Sequence, residues 1–360
     1  MKKGIRFACF VSSHGLGHAT RMLAIIESIQ LAQSNARFWI YSDLPYEFWN
    51  LHLSHSAKFK CMKMITDVGL VQIDPFTHNI SQTSERLGEF LNFSSTPFLE
   101  AKKSVDQNNI DLVLCDISPL GIVVGNQLGK PTILIENFTW DWIYESFHDC
   151  TPSLAVHSDK LINIFSQVDL RIQCTPFCSP ERGTVKVSPV FRKLKSKISI
   201  IKEAIGLRKD EDFILFTTGG ILMKDDFPES INSQFPIVIP TNQKKISRCN
   251  NTIRLPLNSG IHFPDIVNAS SCVIGKAGYG TICECWATNT PIFAIYRANF
   301  RESIVLKKFA EENLQHRSIT IEQVQDEDWS MSLPSFLSKK RTRDIVNGAE
   351  QAANIILNFA

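Results

Sequence analysis

The sequence predicts an α/β protein of two domains, each built on a mostly parallel sheet with crossover helices. Three observations carry this. Short apolar runs alternate with amphipathic helical stretches, the pattern of strands buried beneath crossover helices. The alternation restarts after a proline and a basic cluster at 187–193, Val-Ser-Pro-Val-Phe-Arg-Lys. At 360 residues the chain is too long for one ordinary core. The expected division is 1–187 and 188–360.

In the first part, 5–11 reads as a buried strand and 12–18 as a glycine-bearing loop. A helix follows, with Met22, Leu23, Ile26 and Ile29 on one face. Strands are expected at 38–41, 111–115 and 132–135, with a helix at 119–128 that stops at Gly129-Lys130-Pro131. The run 169–173 reads as the last strand of this part. In the second part a helix at 198–205 ends at Gly206. Strands are expected at 213–217, 237–239, 272–274 and 292–295. A helix starts at Thr281, and a long helix, 339–359, closes the chain and is expected to cross back to the first domain.

Composition narrows the function. A net charge of +2 does not argue for a nucleic-acid partner. No apolar stretch reaches membrane-span length, and the run 7–11 is too short for a signal-peptide core, so a cytoplasmic location is expected. Nothing in the sequence indicates peripheral membrane contact. Most of the ten cysteines sit in apolar runs and read as reduced, buried thiols rather than half of a zinc site. No metal and no cofactor is expected.

Four segments stand where a strand hands over to a helix or loop. The first is Ser12-Ser13-His14-Gly15-Leu16-Gly17-His18. Glycines there permit close approach of a ligand, and histidine exchanges protons near neutral pH. A dinucleotide-binding turn with Asp43 as ribose acid is one reading, with Thr20 where a third glycine belongs. A plain capped glycine turn is another. The favoured reading is a catalytic or substrate-contacting histidine, His18 first and His14 second, with Gly15 and Gly17 shaping the loop. The second segment runs from Gly275 to Glu284 and includes Gly278, Tyr279, Gly280 and Thr281. A helix start there offers backbone N–H groups to a diphosphate, with Glu284 one turn on to accept ribose hydroxyls. The third is the polar run Arg297-Ala-Asn-Phe-Arg-Glu302, and the fourth Thr217-Thr218-Gly219-Gly220.

In their order, these segments resemble the GT-B glycosyltransferases, two Rossmann-like domains with an interdomain cleft. The strings that carry the resemblance are His14-Gly-Leu-Gly-His18-Ala-Thr-Arg21, Gly275-Lys-Ala-Gly-Tyr-Gly-Thr281 and 297–302. Two branches are similar: the bacterial GlcNAc transferase family that forms lipid II, and the glycosyltransferase-like N-terminal domain of arabinokinases. No kinase domain is read here. The resemblance implies a hexosyltransferase-type enzyme that moves a sugar from a nucleotide-sugar, UDP-linked, to a glycan, lipid-linked or other small-molecule acceptor. It implies inversion without a metal ion. By the same resemblance His18 is expected near the reacting centre with Gly15 and Gly17 in the acceptor-side loop, Gly219 and Gly220 are expected to line the nucleotide site, and Gly278 to Thr281 to hold the diphosphate. Glu284 holds the ribose, and Glu302 stands where the family has sugar-binding amides. A non-catalytic nucleotide-sugar-binding module and a nucleotide-sugar 2-epimerase are the alternatives.

Overall fold

The computed structural model describes residues 4–53, 57–73, 77–219, 234–325 and 345–360. They form two compact units, Met1–Phe191 with Val346–Ala360, and Arg192–Ile345.

The first unit is a seven-stranded parallel sheet in the order β3-β2-β1-β6-β7-β8-β9. Its strands are β1 Arg6–Val11, β2 Arg37–Ser42, β3 Lys58–Lys63, β6 Leu112–Asp116, β7 Thr132–Glu136, β8 Leu170–Cys174 and β9 Val185–Val187. A separate small hairpin pairs β4 Val71–Gln72 with β5 His78–Asn79. The central strands are buried along their length because helices cover both faces: every residue of β6 and β7 is buried, the polar Asp116, Thr132 and Glu136 included. The run at 169–173 is not the last strand, since β9 pairs beyond it. The short Val-Lys-Val of β9 carries too little apolar pattern to announce itself.

The second unit repeats the plan in the order β12-β13-β11-β10-β14-β15-β16. Here β10 is Ile214–Thr217, β11 Ile237–Thr241, β12 Ser247–Cys249, β13 Thr252–Pro256, β14 Cys272–Lys276, β15 Ile292–Ile295 and β16 His316–Ser318. All pairings are parallel except that of β12 with β13.

In each sheet the chain order reverses between two adjacent central strands, β1 and β6 in the first and β10 and β14 in the second. At such a reversal the loops leaving the two strands diverge, and a crevice opens at their carboxyl ends. The last residues of β1 and β6 pair in register, Val11 with Asp116, and Thr217 at the end of β10 pairs with Gly275, one residue before the end of β14. Three of the four sequence segments therefore leave from these two points.

Three helix starts differ from expectation. The helix after β1 is Leu16–Ala32, so His18 lies in its first turn and not in the loop. The helix after β14 is Tyr279–Thr288, with Gly278 as its cap. The closing helix is Gly348–Phe359, capped by Asn347, whose Oδ1 accepts from the Ala349 N–H at 2.9 Å. It packs on Leu16–Ala32 within the first unit. Gly348 permits this seat, because a Cβ there would lie 1.9 Å from the Ser188 carbonyl oxygen. The stretch 339–344 of the expected helix and Gly220 lie outside the described residues. No helix among the described residues is long and apolar enough to cross a membrane.

Candidate functional site

At the first reversal point, Ser12 and Asp116 leave adjacent strands and the Ser12 N–H donates to the Asp116 carbonyl at 3.3 Å. Gly15 turns the chain at φ 85°, a conformation that favours glycine, and the helix begins. His18 and Arg21 stand three apart and so share a side of that helix. Both reach Asp116. His18 Nδ1 lies 2.9 Å from Asp116 Oδ1. Arg21 donates twice to the same carboxylate, from Nε to Oδ2 at 2.7 Å and from Nη2 to Oδ1 at 2.6 Å. Its Nη1 donates to Asn137 Oδ1 at 2.5 Å, just past the end of β7. All four side chains are buried.

Burial alone would raise the Asp116 carboxyl. The Arg21 charge and the bonds from His18 and Arg21 outweigh it and hold Asp116 below its ordinary range. Asp116 is thus an acceptor, and a hydrogen bond donated to it by His18 Nδ1 leaves the Nε2 lone pair of the neutral ring outside the pair. The residue after Asp116, the β-branched Ile117, is held at φ 46°. That left-handed conformation costs a β-branched residue about 1–3 kcal/mol, and strain of this kind collects at functional sites.

His14 has different neighbours. Its ring lies edge-on to Trp140 at 4.9 Å and against Gly69, and its Nδ1 accepts from the Leu70 N–H at 3.4 Å. Beside it, the Trp140 Nε1–H donates to Asp67 Oδ2 at 2.6 Å. Burial pushes the Asp67 carboxyl up to about 6, against bonds from Ser12 and Trp140 and the charge of His18. Gly15 sits at the turn and Gly17 within the helix.

At the second reversal point, Gly275 is required where β14 closes on β10. Its φ is 150°, and a Cβ there would lie 1.7 Å from the Thr217 carbonyl oxygen. Gly219 has φ 72° and the Lys276 stem beside it. Gly278 caps the helix without a side-chain partner. The intrahelical ladder opens with Ile282 N–H to the Gly278 carbonyl, so the N–H groups of Tyr279, Gly280 and Thr281 precede it. Lys276, the last residue of β14, is buried. Burial and the nearby Arg297 charge lower its ammonium to about 8, opposed by Glu302. Burial likewise lowers Arg297 to about 10, again against Glu302. The Arg297 guanidinium stacks on the Phe300 ring, 3.4 Å from its centroid. Glu302 opens the helix Glu302–Asn313 and is itself buried.

Glu284 is buried as well, and Arg192 donates to its Oε1 from both Nε and Nη2 at 2.8 Å. Burial raises the Glu284 carboxyl and Arg192 opposes the rise. Both bonds fall on one oxygen, which leaves Oε2 out of the pair. Of the two Asp-x-Asp strings in the chain, 210–212 lies before β10, at the end opposite these loops, and 326–328 lies outside the described residues.

The sequence reading found the glycine loops but not Asp116, Arg21 as its partner, Asn137, Lys276 or Arg192. Asp116 carried one legible signal, an acid ending an otherwise apolar strand.

No protein-family model matches the chain. It is 24% identical over 376 residues to the L-arabinokinase of Arabidopsis thaliana, a match that covers 99% of this chain and 35% of that protein. The chain thus spans little more than a third of its relative's length. A spinosyn rhamnosyltransferase solved with thymidine diphosphate superposes with a TM-score of 0.58 at 13% identity, covering 98% of this chain and 95% of that one. A UDP-glucosyltransferase from Polygonum tinctorium, capable of glucosylating indoxyl and solved with 3,4-dichloroaniline, also gives a TM-score of 0.58, at 12% identity, covering 99% and 98%. These likenesses establish the fold as that of the GT-B glycosyltransferases.

Proposed function

We propose that this GT-B chain transfers a sugar from a nucleotide-sugar donor to a hydroxyl-bearing acceptor, with His18 as the base. The observation that carries the reading is the buried His18–Asp116 bond at the reversal point of the first sheet. It leaves Nε2 to accept a proton. In the reaction, Nε2 takes the acceptor hydroxyl proton as that oxygen bonds to the anomeric carbon. The bond from that carbon to the diphosphate breaks, and nucleoside diphosphate leaves with the electron pair. Attack opposite the leaving group inverts the anomeric centre.

The departing charge falls to the second unit. The N–H groups of Tyr279 to Thr281 and the helix dipole face a diphosphate there, and Lys276 supplies a cation already stripped of water. This scheme uses no metal ion. Glu284, held by Arg192 on one oxygen, offers the other to the ribose. Gly219 lines the same site, and Glu302 steers the donor sugar through its place among Lys276 and Arg297. The solved neighbours named above, one a UDP-glucosyltransferase and one holding thymidine diphosphate, support a pyrimidine nucleoside diphosphate donor. The relative matched along 99% of the chain favours the arabinokinase-like branch of the resemblance over the GlcNAc transferase branch.

Calorimetric titration with uridine diphosphate tests the reading. Lys276 is charged below pH of about 8 and neutral above it, so the lowered ammonium makes binding strongest at lower pH. Affinity is expected to fall as pH rises through about 8, by about tenfold to a hundredfold, the worth of one charged hydrogen bond. Lys276→Met should bind weakly at every pH. No binding of uridine or thymidine diphosphate by the native chain would remove the donor site.

A further inference from the structure

The cluster around Asp116 is more than a histidine–carboxylate pair. Two cationic or potentially cationic groups share one buried carboxylate. Arg21 grips both oxygens, and its Nη2 also comes within 3.1 Å of His18 Nδ1. A fork of two parallel bonds fixes the plane of the carboxylate, which is what aims Oδ1 at Nδ1. The same guanidinium cancels the Asp116 charge that would otherwise draw a second proton onto the imidazole.

We propose that Arg21 is a positioning residue that keeps His18 neutral and aimed, so that the histidine meets its acceptor as a base. The proposal rests on the reading of His18 as the base.

The argument is one of charge count. With neutral His18, the group of His18, Asp116 and Arg21 sums to zero. Protonating His18 makes it +1 in a buried place, where a charge without its counter-ion is costly. Remove Arg21 and the same protonation completes a neutral pair with Asp116. Of the other charged groups, Asp67 also acts on His18. Glu136 and Cys174 feel Arg21 from the neighbouring strands. The Phe138 ring, 5.6 Å from that of His18, is uncharged. The Asp67 carboxyl, pushed up to about 6, titrates within the pH range scanned, so its own protonation must be separated out.

The test follows the His18 ring by NMR through a pH titration, with the resonance assigned by its loss in His18→Ala. In Arg21→Gln the midpoint of protonation is expected to rise by about one to three pH units, the usual effect of a neighbouring charge. Arg21→Lys keeps the charge and should leave the midpoint near the native one. The same series in an Asp67→Asn background removes the second titration. If Arg21→Gln does not fold, Arg21→Gln/Asp116→Asn against Asp116→Asn makes the comparison without an unpaired buried carboxylate. The double variant should then protonate at higher pH. Equal midpoints in either comparison would overturn the proposal.

Kinetics supply the second readout. The acid limb of kcat/KM should move to higher pH with the midpoint in Arg21→Gln and stay in place in Arg21→Lys. A midpoint that moves in a chain showing no transfer would instead count against the proposed function and leave the charge assignment standing. A uniform loss of activity with unmoved midpoint and limb would reduce Arg21 to a structural prop.

Discussion

Replacing His18 by alanine is expected to slow transfer by about 10²–10⁴-fold, the usual contribution of a positioned base. Affinity for uridine diphosphate should stay essentially unchanged. The separation follows from the placement of the two sets of residues. His18 and Asp116 sit at the reversal point of the first sheet, whereas Lys276, Tyr279 to Thr281 and Glu284 sit at that of the second. The loss should therefore appear in kcat, with binding measured independently by calorimetry. His14→Ala should be milder, because His14 packs on Gly69 and Trp140 rather than on Asp116. Unaltered turnover in His18→Ala would remove the base from the mechanism.

Glu284→Ala carries the second large effect, and it is twofold. Arg192 is buried and directs two bonds to this carboxylate. Truncation strands that guanidinium, and breaking a buried pair in this way costs about 3–5 kcal/mol of stability. A carboxylate that only favoured the helix dipole would account for about 0.3–1 kcal/mol. Urea denaturation distinguishes the two. If Glu284 also holds the ribose, uridine diphosphate affinity should fall about tenfold to a hundredfold, as expected for charged hydrogen bonds. Stability loss with unchanged affinity would make the Arg192–Glu284 pair purely structural.

What the sequence made legible follows from where the physics is local. Strands such as Thr132–Glu136 are buried on both faces and carry an unbroken apolar centre, here Ile133 to Ile135. Edge strands are different. Lys58–Lys63 carries three lysines in six residues, and Ser247–Cys249 is exposed along its length, so neither announces a sheet. The glycine loops were legible because turns and helix starts are set by adjacent residues. Their partners were not. Asp116 lies 98 residues from His18 and 95 from Arg21, and Arg192 lies 92 from Glu284. Only the parallel register that sets Val11 beside Asp116 joins the first set. Lys276 was legible as a residue type but not as a cation, since its lowered ammonium depends on burial and on Arg297.

The central claim, nucleotide-sugar transfer by a His18 base, is tested most directly with donor labelled in the sugar. Labelled UDP- and TDP-sugars are incubated with the native chain, with and without a pool of hydroxyl-bearing acceptors, and nucleoside diphosphate and labelled products are followed together. The account predicts diphosphate release matched one for one by labelled acceptor of inverted configuration, dependent on the pool and lost in His18→Ala. Binding without turnover, or acceptor-independent conversion of the donor sugar to its 2-epimer, would contradict it.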